Sequence, residues 1–361
     1  MKKIKIIHII SEFDIGGVES FLMDFFKKND NKKIENVVIV HGSSEGSMEK
    51  EAKKLGVEFL HLPRVSKNFF VYLYRVYIIL KKDFDIVHVH LNHYSFLVLL
   101  ISILANKKIR ICHAHGVIDK ISIKTKMMAY LSKILSTERV ACSKMAGESI
   151  FKSKNTKIIH NSTGLNNFKY DNKVREDLRS YFEIKEKDTV VIQVGRFVES
   201  KNHIFSLSLF EEVVKKNKTI KLFLIGEGEL ETLIKKECLD RKIEKQVFFL
   251  KKDSPVSDYL SMADIFIMPS QKEGLGIAAL EAQASGINSI ISTEVPKEII
   301  LNKNVKYINL NNKKEWIKSI ELFSEDNHTN REYESINTLT SKYNSKLSEN
   351  DLMKFYKGIF L

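Results

Sequence analysis

The stretch ADIFIMPSQKEGLGIAALEAQASGINSIIS (263–292) decides how this chain is read. ADIFIMPS (263–270) is an apolar run entering a turn, as a buried strand does. NSIIS (288–292) is a second short β-rich run, and the residues between them are small, apolar and able to open a helix. Strand, helix and strand in this order make a parallel α/β unit. Glu273 and Glu281 stand eight positions apart inside it. Eight residues at helical rise span roughly 12 Å, and eight steps of about 100° return to nearly the same side. With Gly274 and Gly276 at its opening, such a helix offers free N–H groups and a positive dipole end to an anion. A carboxylate at each end of that anion site accepts hydrogens from hydroxyl groups. A sugar, a diphosphate and a ribose in series match this layout, so a nucleotide sugar is the expected ligand.

The same alternation extends in both directions. Toward the N-terminus, strands are expected at 3–10, 37–40, 58–62, 85–91, 110–115, 139–142 and 157–161, with helix-period segments at 17–28, 48–55, 68–82 and 94–105. A polar stretch, 162–188, reads as a linker. The pattern restarts at TVVIQVG (189–195) and continues at 221–226, 247–250, 264–269, 288–292 and 306–310. This implies two Rossmann-like halves. An amphipathic segment, 347–361, closes the chain after Ser348 and Asp351 in capping-box spacing.

Composition bounds the function. The 361 residues suit about two domains. Cys112, Cys142 and Cys238 form neither a metal spacing nor a disulfide framework, which suits reduced thiols in the cytosol. The opening IKIIHIISEFD reads as a first strand, not a signal peptide, and the longest greasy run, 96–105, is too short to span a bilayer. The net charge is +13, and residues 1–165 hold 27 Lys/Arg against 15 Asp/Glu. A basic first half points to an anionic partner there, whether nucleic acid, an anionic membrane or a pyrophosphate-bearing lipid. No RNA- or DNA-binding motif accompanies it.

Several side chains are candidates for chemistry. Gly16 and Gly17 follow the first strand and precede a helix, where glycines let a ligand approach the backbone. His113 and His115 end a strand in RICHAHGV (110–117), and only one of them is expected to face a ligand; His88 and His90 form a similar pair. No third metal ligand is evident beside them. In VGRFVESKNH (194–203), Arg196 and Lys201 put two cations near a strand end, as a diphosphate requires. Asp83 and Asp85 spell D-x-D but precede their strand, so they read as turn polarity. The segments 67–82 and 120–133 interleave aromatics with lysines, which suits either a core helix or a membrane interface.

Taken in order, these motifs resemble the family 4 glycosyltransferases of the GT-B fold, nucleotide-sugar enzymes that retain anomeric configuration. The matching residues are GGVE (16–19), HAHG (113–116), HNS (160–162), VGRFVESKNH, IGEGEL (225–230), ADIFIMPS and EGLGIAALEAQASG. EAQASG with PKE (296–298) is most similar to bacterial capsule, exopolysaccharide and O-antigen transferases, although Ile287–Asn288 departs from the usual Leu/Ile–Pro. The resemblance implies two Rossmann-like α/β domains facing across a cleft: an acceptor domain at 1–165, onto which a last helix near 345–361 packs back, and a donor domain at 185–340.

It also implies that Glu273 contacts the donor sugar and Glu281 the ribose. Arg196 and Lys201 hold the diphosphate with Gly16, Gly17 and the backbone of Gly274 and Leu275. His115 lies against the sugar and reaction centre, so His115 and Glu273 are the catalytic candidates. The implied reaction moves a hexosyl or N-acetylhexosaminyl group from a UDP-linked donor to a polyprenyl-diphosphate-linked glycan. No cofactor and no divalent metal are expected, and the enzyme is expected on the cytoplasmic face of the membrane as a peripheral protein. A UDP-sugar 2-epimerase of the same fold and a basic nucleic-acid-binding protein are the competing readings.

Overall fold

The computed structural model describes residues 3–14, 16–29, 33–42, 44–63, 68–118, 122–153, 155–161, 163–251, 253–325, 330–345 and 351–360. The chain divides into two compact units, Met1–Ser162 with Glu349–Leu361, and Thr163–Ser348.

In the first unit seven strands run parallel: β1 (Ile4–Ile9), β2 (Ile34–His41), β3 (Glu58–Leu62), β4 (Ile86–Val89), β5 (Ile109–Ala114), β6 (Glu138–Ala141) and β7 (Lys157–Ile158). Their order is β3-β2-β1-β4-β5-β6-β7. Ile6, Ile86, Ile111 and Val140 are fully buried, because crossover helices cover both faces of a parallel sheet. Phe21, Phe25 and Phe26 of the helix Gly17–Lys28 fill one face. Leu352 and Tyr356 of the last helix, Asp351–Phe360, enter the same core. Ser348, the expected cap of that helix, lies outside the described residues.

The second unit holds six parallel strands: β8 (Val190–Val194), β9 (Lys221–Ile225), β10 (Val247–Leu250), β11 (Ile265–Met268), β12 (Asn288–Ser292) and β13 (Val305–Ile308). They are ordered β10-β9-β8-β11-β12-β13. Both sheets reverse strand order beside their first strand, between β1 and β4 and between β8 and β11. In open α/β sheets that reversal opens a crevice at the carboxyl ends of the strands.

The stretch read as a linker belongs to the second unit. It forms a turn, Leu165–Phe168, and a helix, Asn172–Tyr181. Arg175 and Arg179 of that helix grip Asp264 at 2.6 and 3.1 Å. Arg175 also donates to the carbonyl of Met262 at 2.6 Å, at the end of the helix Val256–Met262. Terminal carbonyls need donors, and here arginines supply them. The polarity that suggested a linker is the means of attachment.

Among the described residues no helix is long and apolar enough to cross a membrane. The segment 67–82 is the helix Phe69–Leu80, with Lys67 outside the described residues, and 120–133 contributes to the helix Ile123–Leu135. Asp85 accepts from the backbone N–H of Lys5 at 2.8 Å, tying the start of β4 to β1.

Candidate active site

In the second unit, the residues after β8 and β11 meet at the strand-order reversal. The loop after β8 carries Arg196 and Lys201; the loop after β11 carries Ser270 and Glu273. The N–H of Gln271 donates to the carbonyl of Ser200 at 2.8 Å, which stitches the two loops together. Lys201 Nζ then reaches Oε1 of Glu273 at 2.5 Å, and the Ser270 hydroxyl donates to the same oxygen at 2.7 Å. Glu273 is buried and Lys201 is four-fifths buried. A buried carboxylate held by both an ammonium and a hydroxyl is fixed in position and remains an acceptor through its second oxygen.

IGEGEL supports this loop from behind. The N–H of Phe197 donates to Glu227 at 2.8 Å, and the N–H of Leu230 donates to Phe197 at 3.0 Å. A Cβ on Gly226 would collide with the carbonyl of Gly195, and one on Gly228 with that of Phe197. The two glycine motifs are therefore one packed turn, and the glycines are required by this approach. Arg196 projects from it exposed, its side chain without a partner among the described residues.

The helix after β11 starts later than its sequence suggests. It spans Ile277–Ala284, with Gly276 as N-cap at φ 92°. A left-handed residue there stops the helix from extending back to 273. Glu273 consequently stands in the preceding loop rather than on the first turn, and Gly274 and Leu275 are loop residues, Leu275 with its side chain buried. Glu281 is on the helix as expected, mostly buried and without a side-chain partner among the described residues. Burial pushes its carboxyl up to about 7.

The first unit brings together residues that the sequence presented as separate pairs. Five imidazoles, His8 on β1, His88 on β4, His90 just after it, His113 on β5 and His115 just after it, pack in one cluster. His113 and His115 share one side, since residues two apart along a strand do so; their ring centroids lie 3.8 Å apart. His88 Nε2 meets His113 Nδ1 at 3.2 Å, and His90 Nδ1 meets His115 Nε2 at 2.8 Å. One pair stacks on the other. Desolvation lowers all five, His8 to about 4 and His115 to about 3, so the rings are neutral near pH 7.

One nitrogen from each of His90, His113 and His115 lies within 4.8 Å of the others, which supplies the third ligand that was not evident in the sequence. The rings of His113 and His115 are tilted by only 29°. A ligated ion lies in the plane of each imidazole, and stacked planes do not converge between the rings. The arrangement is that of hydrogen-bonded pairs. Gly16 caps the helix Gly17–Lys28 with extended backbone, and the Asn161 amide donates to the carbonyl of Gly17 at 3.3 Å.

A family model described as Glycosyltransferase Family 4 matches residues 15–163, and one described as Glycosyl transferases group 1 matches residues 174–338. The chain belongs to the family 4 glycosyltransferases. It is 27% identical over 318 residues to the capsular polysaccharide biosynthesis glycosyltransferase CapH of Staphylococcus aureus, covering 84% of this chain and 85% of that one. It is 24% identical over 311 residues to an Escherichia coli UDP-Gal:alpha-D-GlcNAc-diphosphoundecaprenol alpha-1,3-galactosyltransferase, covering 80% and 79%. Anabaena HepE, solved with UDP and glucose, superposes with a TM-score of 0.84 at 14% identity over 98% of this chain and 100% of that one. The fold of this glycosyltransferase is accordingly GT-B.

Within the glycosyltransferase, sequence reasoning gave no role to Ser270, Asn161, Asn36 or Tyr356, although ADIFIMPS and HNS contain the first two. Ser270 ends the run ADIFIMPS and was visible only as turn polarity. Tyr356 meets His88 Nδ1 at 2.5 Å from 268 residues away, a contact that no local pattern signals.

Proposed function

We propose that this glycosyltransferase moves a hexosyl or N-acetylhexosaminyl group from a UDP-linked donor to a polyprenyl-diphosphate-linked glycan, with retention of configuration. The observation that carries the proposal is the Lys201–Glu273–Ser270 constellation at the strand-order reversal of the second unit. In this reading Glu273 accepts from hydroxyls of the sugar and Glu281 from those of the ribose. Arg196, without a side-chain partner among the described residues, takes the diphosphate, and Lys201 turns to it from Glu273 as the donor arrives. Backbone N–H groups of Gly274 and Leu275 assist, and Gly16, Gly17 and His115 of the first unit serve the same reaction. As the glycosidic bond stretches, negative charge builds on the leaving diphosphate, and fixed cations stabilise it. These cations do the work a divalent ion would do, so no metal is assigned to the donor.

The acceptor assignment draws on the basic first unit and on the lipid-linked acceptor named for the Escherichia coli relative. In the first unit, the helix Ser95–Leu104 packs against both Phe69–Leu80 and Ile123–Leu135. Together they expose Phe70, Tyr74, Leu104, Ile123 and Tyr130 beside the exposed Arg75, Lys124 and Lys126. Ile123 is 88% exposed and Phe70 80%. Apolar side chains this bare, mixed with cations, suit an anionic bilayer surface.

Incubation with UDP- and GDP-sugars in the presence of a polyprenyl-diphosphate glycan tests the reading. The expected products are free UDP and an α-configured glycoside from an α-linked donor. An inverted glycoside would refute retention, and an isomerised nucleotide sugar in place of UDP would assign epimerisation.

A further inference from the structure

Behind His115 runs a file of hydrogen-bonded rings. Oδ1 of Asn36 lies 3.3 Å from His8 Nε2, His8 Nδ1 lies 3.2 Å from His90 Nε2, and His90 Nδ1 lies 2.8 Å from His115 Nε2. Asn161 stands at the far end, where its amide acts on the His115 ring. An amide oxygen only accepts, so His8 must carry its proton on Nε2. Its Nδ1 then accepts from His90 Nε2–H, whose Nδ1 in turn accepts from His115 Nε2–H. The file has four gaps, including the one from His115 to Asn161, and three neutral imidazoles bring three protons. One gap stays empty.

The structure shows which gap it is. Nδ1 of His115 and Oδ1 of Asn161 are both buried, and neither has a hydrogen-bond partner among the described residues. The empty gap is therefore the one at the His115 end of the file. Asn161 is 3% exposed, and its Nδ2 donates to the carbonyl of Gly17, the first residue of the helix behind the glycine turn. The groups acting on these rings are one another, the flanking His88 and His113, and the two amides. Around them stand the flanking imidazoles His88 and His113, the phenol of Tyr356 from the last helix and the rings of Phe21, Phe25 and Phe26. Among the described residues no carboxylate or ammonium acts on the file to set its polarity, and its terminal amides do so.

We propose that the file Asn36–His8–His90–His115 fixes the proton of His115 on Nε2, and that Asn161, at the His115 end of the file, is a positioning residue that ties this setting to the Gly16–Gly17 turn. The kinetic half of the proposal rests on the transfer reaction assigned above; the protonation half does not.

Long-range ¹H–¹⁵N correlation on the full chain labelled with ¹⁵N-histidine tests the protonation half. Wild type should show His8, His90 and His115 as neutral Nε2–H tautomers near pH 7. An Nδ1–H signal on His115 in wild type would overturn the proposal without bearing on the transfer reaction. In Asn36→Asp, the carboxylate draws a fourth proton into the file, which should move the His115 proton to Nδ1. An unchanged His115 tautomer in a folded Asn36→Asp protein would also overturn it. For the kinetic half, Asn161→Ala should lower kcat roughly 10–100-fold, as a displaced positioning element does, with the folded state and the His8 and His90 tautomers intact. Wild-type kcat in that variant would remove Asn161 from the reaction while leaving the transfer assignment standing.

Discussion

Lys201 Nζ stands 2.5 Å from Oε1 of Glu273, and the two residues come from different loops of one sheet edge. The pair is the joint between the cation loop after β8 and the carboxylate loop after β11. Breaking it strands one charge in a mostly buried place and removes a group assigned to the donor. Lys201→Ala is expected to lower kcat by about 10²–10³-fold, the usual effect of losing one charge-stabilising group. Glu273→Gln keeps the shape and the Ser270 contact but weakens the grip on Lys201, and a smaller loss is expected. Steady-state kinetics with the preferred nucleotide sugar measure both; equal losses would mean that the charge of Glu273 matters as much as the cation.

Glu281 offers a pH test. Its carboxyl is raised to about 7 by burial, so the folded protein holds a proton that the unfolded chain releases at the ordinary carboxylate value. Between those two values the unfolded state binds fewer protons, and stability therefore falls as pH rises. Above about 7 the cost is fully present. Urea unfolding from pH 4.5 to 8 should show wild type losing stability relative to Glu281→Gln across this window. If hydroxyls of the ribose are what the carboxylate accepts, UDP affinity should rise over the upper part of the same range and be flatter in the variant.

Much of this was legible in the sequence because strand–helix alternation is local. The thirteen strands among the described residues all fall where β-rich runs occur, and Lys201 and Glu273 stand in motifs whose chemistry marks them before any contact is considered. The length of the helix after β11 was not legible, because small residues around Gly276 fit a helix until its φ of 92° is known. Nor was the histidine cluster. His8, His90 and His115 are met through sheet register, His8 level with His88 across β1 and β4, and pairings of adjacent strands set 25 to 82 residues apart leave no periodic trace. Arg175 and Arg179 misled for another reason: their charges read as solvent exposure, whereas they answer Asp264 and a helix end.

That ion-pair network should carry stability. Asp264 takes Arg175, Arg179 and the N–H of Val190 at 2.7 Å, joining the helix Asn172–Tyr181 to the first strand of the second unit. The groups are partly exposed, which places the loss for Asp264→Ala between the surface and buried limits, about 2 kcal/mol. Chemical denaturation should show this, with activity of the remaining folded protein near normal. A change within the noise would mean that the helix is held by its carbonyl contacts alone.

Metal independence of the donor step can be checked directly. With Arg196 and Lys201 assigned to the diphosphate, turnover should persist in EDTA and gain nothing from added Mg²⁺ or Mn²⁺. Activity abolished by EDTA and restored by Mn²⁺ would overturn the assignment of those two cations as sufficient, and would turn attention to carboxylates near the donor.

If the acceptor is lipid-borne, as proposed, the exposed helices of the first unit predict how the enzyme reaches it. Phe70, Tyr74, Ile123 and Tyr130 are bare apolar side chains next to Arg75, Lys124 and Lys126. Each basic residue near an anionic surface adds about 1 kcal/mol, screened within a Debye length. Co-sedimentation with phosphatidylglycerol vesicles should therefore be strong at low salt and weaken at high salt, with little binding to neutral vesicles. Replacing Phe70 and Ile123 by serine should cut vesicle binding while leaving hydrolysis of the soluble donor unchanged, since neither residue is assigned to the donor. Equal binding to neutral and anionic vesicles, or none to either, would remove the membrane from this proposal and require a soluble acceptor.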